Sequence, residues 1–237
     1  MKKTAYYLVM IKVVLMLIII FYLSFLYIDL FNMKYIQLSD RIKFICIILC
    51  FFLALLSNHN PFDKYNMQLL QLGLLLTVIA DFFLLIVDDY YPIGVAVFTM
   101  AQITYTIRFD AGNKANIIKN YIVVFLILFL VYAVVNSFIK IDILVPISLC
   151  YGISLVTNVY KSIVIFRNRI YPNPNAIMVA LGMALFLLCD INVALYNILK
   201  LINETKGIIY RISSVSMWLY YLPSQVLLAL SGYNYKI

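Results

Sequence analysis

The chain has 237 residues, 65% of them hydrophobic and 12% charged, with a mean hydropathy of +1.01 and a formal net charge of +8. A soluble domain is close to half apolar and a quarter charged, and a disordered chain has too few apolar groups to fold, so both classes are excluded. What remains is an all-α polytopic membrane protein whose surface faces lipid.

The basic residues lie mostly between apolar runs and are not clustered with exposed aromatics. That placement suits anionic headgroups and a positive-inside bias, and it argues against a nucleic-acid partner. No protein partner is implied either. Cys46, Cys50, Cys150 and Cys189 sit inside apolar runs without a CxxC pair, and the single histidine, His59, has no ligand cluster. They read as packing residues, so no disulfide, metal or other cofactor is expected.

A spanning helix needs about 20 mostly apolar residues. In chain order the candidate spans are 7–29, 42–57, 68–87, 91–109, 118–138, 142–166, 175–199 and 209–231. They predict a single integral membrane domain over 1–237, a bundle of eight transmembrane helices. The first run is too long for a signal-peptide core and lacks a small-x-small cleavage site, so it is taken as a span. At the span ends and beyond them, nine Lys and Arg fall on the side of the N-terminus and seven on the other. That difference places both termini in the cytoplasm. Richness in Ile, Asn, Lys and Tyr suggests an AT-rich genome and a bacterial plasma membrane.

The informative residues are those that cost energy where they sit. A carboxylate at the bilayer centre costs about 2.5–3.5 kcal/mol on insertion scales. Asp81 in the third run and Asp190 in the seventh are both mid-span, whereas the other acids fall at or near loops. Each is either a structural hydrogen-bonding group or a functional one. Gly73 precedes Asp81 by eight residues and Gly182 precedes Asp190 by eight. Runs three and seven point the same way across the membrane, which permits a four-plus-four repeat with facing carboxyls. Gln102 and Tyr105 share a face of the fourth run, as do Tyr221 and Gln225 of the eighth. Asn192 and Asn197 accompany Asp190. These polar groups either join helices, at about 0.6 kcal/mol each, or line a polar pocket around the two acids. Asp88 and Asp89, beside Tyr90, Tyr91 and Pro92, read as an interfacial loop. GxSxG, HExxH, a Gly-rich phosphate loop and a triad histidine are all missing from the sequence, which leaves carboxylate chemistry.

The segment from Gly73 to Asp81 and on through Phe82-Phe83-Leu84-Leu85 resembles the Gly-Leu-x-x-Ser-x-x-Gly-Asp-x-x-Leu signature of the YhhN family of lysoplasmalogenase-like membrane proteins. Phe98-Thr-Met-Ala-Gln102-Ile-Thr-Tyr105 resembles its Phe-x-x-Ala-His-x-x-Tyr. Leu181-Gly-Met-Ala-Leu-Phe-Leu-Leu-Cys-Asp190 resembles its Gly-x-x-Leu-Phe-x-x-Ser-Asp, and Tyr221-Leu-Pro-Ser-Gln225 its Tyr-x-x-x-Gln. The blocks agree in order and spacing over residues 70–230, and Arg41-Ile-Lys43 loosely matches a basic position at the start of the second helix. Gln102 stands where the family has His, Ala80 where it has Gly, and Cys189 where it has Ser. The resemblance implies an eight-helix membrane protein with lysoplasmalogenase activity.

That activity cleaves a vinyl ether to a fatty aldehyde and a glycerophospho-base. Proton transfer to carbon makes an oxocarbenium ion, water adds, and the hemiacetal collapses. One carboxylic acid must supply the proton and one carboxylate must stabilise the cation and activate water, much as in glycosidases. Two nearby carboxyls that share a proton divide in this way. Asp81 and Asp190 are therefore the expected catalytic residues. Gln102, Tyr105, Tyr221, Gln225 and Asn192 are expected to bind the lysophospholipid and water, with Lys43 on the phosphate. The competing reading is a proton-coupled transporter or lipid carrier in which Asp81 and Asp190 are protonation sites. A transporter more often shows broken helices in two matching halves, and only Pro223 interrupts a run here. A sensory or scaffolding module is the third.

Overall fold

The computed structural model describes residues 2–31, 33–87, 90–110, 114–205 and 207–235. Asp88 and Asp89 lie outside the described residues. The described chain is all-helical, with eight α-helices: α1 (Lys2–Phe31), α2 (Ile36–Ser57), α3 (Lys64–Asp81), α4 (Tyr91–Phe109), α5 (Lys114–Asn136), α6 (Leu144–Arg167), α7 (Asn173–Leu201) and α8 (Ile208–Leu230). Each corresponds to one expected run. α2 begins at Ile36 rather than 42, because its first turns are tied to α1: Ser39 Oγ donates to Asp29 at 2.5 Å and Lys43 pairs with Asp29. α3 begins at Lys64 because Asp63 caps it, accepting the Asn66 N–H at 2.6 Å.

Five helical stretches are long and apolar enough to cross a membrane: Tyr6–Phe31, Lys64–Val87, Lys114–Asn136, Leu144–Arg167 and Asn173–Leu201. Length and composition thus mark five of the eight expected spans among the described residues. The other three helices, α2, α4 and α8, carry much of the buried polar set, including Ser39, Lys43, Gln102, Thr106, Arg108, Ser213, Ser224 and Gln225. Polar groups lower their hydropathy, and neighbouring helices screen those groups. α5 does the reverse and leaves most of its apolar side chains exposed on the outside.

α7 packs most extensively on α8, and α3 on α4. Both contacts use a glycine. A Cβ on Gly73 would come within 2.7 Å of the Tyr105 ring, and one on Gly182 within 3.0 Å of Leu228 Cγ. Small residues let helices approach where lipid supplies no hydrophobic drive. At one end of the bundle the C-terminal segment is strapped to the α2–α3 connection, with Phe62 N–H on Gly232 O at 3.1 Å and Asn234 N–H on Asn60 O at 2.8 Å. Arg108 is buried there. Its Nε donates to Asn66 Oδ1 at 2.9 Å and one Nη to Ser231 Oγ at 2.9 Å, which joins α4 to α3 and the end of α8.

Candidate functional site

Asp81 is the last residue of α3 before the helix widens into a π-helical stretch over Phe82–Val87. Such widenings recur at functional sites. Asp81 is 4% exposed, and the Tyr221 hydroxyl donates to its Oδ2 at 2.6 Å. The Tyr221 ring is fixed by Phe186 and Trp218, with centroids 5.5 and 5.3 Å away. Asp190, in the middle of α7, is partly buried and accepts a hydrogen bond from the Tyr151 hydroxyl of α6. Phe98 of α4 lies between the two Asp–Tyr pairs, its ring 6.0 Å from that of Tyr151 and 6.4 Å from that of Tyr221.

One turn further along α4 and α8, the interior stays polar. Gln102 is fully buried, and Asn158 Nδ2 of α6 donates to its Oε1 at 2.7 Å and to its carbonyl at 2.8 Å. Gln102 Nε2, the Ser224 hydroxyl and both amide atoms of Gln225 are buried with no protein partner. Water commonly satisfies such groups. Tyr105 is fully buried against Gly73 and takes part in that same face of α4.

Two expected residues stand apart. The Lys43 ammonium is paired with Asp29 and Asp40, each at 3.0 Å, and lies over the Trp218 ring at 5.2 Å. It is therefore not a free cation waiting for phosphate. Asn192 spends its amide on its own helix, donating to Leu188 O at 2.7 Å. The structure also adds Tyr151 and Asn158, which the sequence did not single out, and gives a place to Phe98, which opens the fourth-run family block. Tyr151 and Asn158 are seven apart on α6, two turns along one face, which was the available signal. Among the described residues, no group of three or more His, Cys, Asp or Glu is placed to hold a metal ion.

The family model described as the YhhN family matches residues 40–232, most of the chain. No curated protein and no solved structure matches.

Proposed function

The chain belongs to the YhhN family, and we propose that it is a membrane-embedded hydrolase that cleaves the vinyl ether of lysoplasmalogens by two-carboxylate acid/base chemistry. The observation that supports this most is the pair of tyrosine-braced carboxyls, Asp81 with Tyr221 and Asp190 with Tyr151, on either side of Phe98.

In this reading one carboxyl gives its proton to the outer vinyl carbon. The C–O carbon becomes an oxocarbenium ion facing the second carboxyl, which is ionised. That carboxylate takes a proton from water as the water oxygen bonds to the cationic carbon. The hemiacetal then breaks its bond to the glycerol oxygen, which leaves with a proton, and the products are a fatty aldehyde and a glycerophospho-base. Water is the only co-reactant. The unpaired Gln225 and Ser224 groups would hold it one turn from Tyr221. All eight helices would cross the membrane as one domain, with α2, α4 and α8 screened by the rest, in a bacterial plasma membrane and with both termini cytoplasmic.

The test is aldehyde release from lysoplasmenyl-ethanolamine by detergent-purified protein, with Asp81→Asn and Asp190→Asn beside it. Release by wild type alone supports the reading. A folded wild type that releases none overturns it, and proton-dependent uptake lost in both variants would then favour the transporter.

A further inference from the structure

α3, α4, α6, α7 and α8 pack in a closed ring, each on the next and α8 back on α3. α4 and α8 face each other across it in a fixed register. The Phe98 ring lies 6.4 Å from that of Tyr221, and ten residues further along each strand of chain Arg108 donates to Ser231 Oγ at 2.9 Å. Gln102 therefore stands level with Gln225, and Tyr105 about one turn nearer to Arg108.

The inside of the ring holds bare polar atoms. Among the described residues, seven buried side-chain nitrogens and oxygens have no protein partner. They belong to Gln102, Tyr105 and Arg108 of α4, Asn175 of α7, and Ser224 and Gln225 of α8. All six residues are on the ring, and all lie on the Arg108 side of Tyr221. Arg108 and Asn175 meet at Ser231, where Asn175 Nδ2 donates to the carbonyl at 2.9 Å. That leaves one Arg108 Nη as an unused donor and Asn175 Oδ1 as an unused acceptor. From there the levels of Tyr105, of Gln102 with Gln225, and of Tyr221 follow in steps of about 5 Å. The last step is the Tyr221 hydroxyl on Asp81.

The mixture of atoms decides the occupant. An anion would want donors alone and a metal ion acceptors alone, whereas water both gives and takes hydrogen bonds. On its other side Tyr221 meets the rings of Phe186 and Trp218, at 5.5 and 5.3 Å. We propose that the bare atoms hold a file of bound water that joins Asp81 to the end of the bundle where α3 and α7 begin and α4 and α8 end. α1 begins at that same end, since Tyr7 stacks on His59 of the α2–α3 connection with 4.1 Å between centroids. Water and protons thus reach Asp81 from the face that carries the start of α1 and the end of α8. Only the further step, that the water consumed in cleavage travels this way, rests on the hydrolase reading.

Hydroxyl radicals made from bound water by a brief X-ray pulse label the side chains that touch that water. The probes are the rings of Tyr105, Tyr221 and Phe25, which are 0%, 5% and 0% exposed. Detergent-purified protein is equilibrated with heavy-oxygen water, irradiated and read by mass spectrometry. The expected result is label entering Tyr105 and Tyr221 several-fold faster than Phe25. Gln225→Leu, which closes the file at one level, should bring Tyr221 down to the Phe25 rate. It should leave Tyr105 as in wild type, because Tyr105 lies between Gln225 and the entry. A thermal melt in the same detergent controls for folding. Tyr105 labelled no faster than Phe25 would overturn the proposal, and so would a folded Gln225→Leu protein in which Tyr221 keeps its label or Tyr105 loses it. The labelling uses no substrate. A protein that takes up label and releases no aldehyde keeps the water file and loses the hydrolase reading, and one that cleaves the vinyl ether without taking up label does the opposite.

Discussion

Tyr221→Phe is the sharpest single perturbation of the site. The ring is held by Phe98, Phe186 and Trp218, and phenylalanine keeps all of that packing. Only the hydroxyl is lost, and with it the 2.6 Å hydrogen bond to Asp81 Oδ2. A buried hydrogen bond to a charged group contributes about 1.5–3 kcal/mol. If that bond positions Asp81 through the rate-limiting proton transfer, the rate should fall roughly 10- to 100-fold. The assay is aldehyde release with kcat and KM separated, and a thermal melt in the same detergent controls for folding. A double-mutant cycle with Asp81→Asn then isolates the pair: in that background Tyr221→Phe should cost almost nothing further. A wild-type rate for Tyr221→Phe would refute the reasoning. So would an equal loss with and without the carboxylate.

Three other substitutions probe different parts of the molecule. Lys43→Met leaves Asp29 and Asp40 with no cation in a site where the Asp29 side chain is 9% exposed. It should cost about 3–5 kcal/mol of stability, read as a lower melting temperature; a phosphate-binding role would instead raise KM and leave the melt unchanged. Gly73→Ala drives a methyl to within 2.7 Å of the buried Tyr105 ring, so it should destabilise by about 1–3 kcal/mol, with partial recovery in a Tyr105→Val background. Gln225→Leu replaces a buried amide without partners by an apolar group of similar size. Its melt should rise by about 1 kcal/mol while turnover drops roughly tenfold, because the water it would hold is lost; unchanged turnover would remove Gln225 from the chemistry.

The helices were legible because composition and run length leave few alternatives in so apolar a chain. The number of lipid-like spans was not legible. Run length treats α2, α4 and α8 like the others, and only packing shows that their polar residues are screened. The pairing of Asp81 with Tyr221 was within reach, since each stood out as a polar group in its own run. Tyr151 did not stand out, because a tyrosine among apolar residues reads as packing until its hydroxyl is seen on Asp190. The π-helical stretch after Asp81 has no sequence mark, since Phe82-Phe83-Leu84-Leu85 would suit an ordinary helix equally well. The ion pairs of Lys43 were only partly legible, for a different reason. Asp40, three residues earlier on α2, is within reach of periodicity, but Asp29 is 14 residues away at the end of another helix and is not.

The central claim is that one of the two carboxyls, Asp81 or Asp190, protonates a vinyl ether carbon while the other activates water, and its most direct measurement is aldehyde release from lysoplasmenyl-ethanolamine in heavy water. Proton transfer to carbon writes one deuterium onto the carbon next to the aldehyde. The account predicts monodeuterated aldehyde from wild type and none from folded Asp81→Asn or Asp190→Asn. No aldehyde from folded wild type, aldehyde without deuterium at that carbon, or wild-type rates in both variants would contradict it.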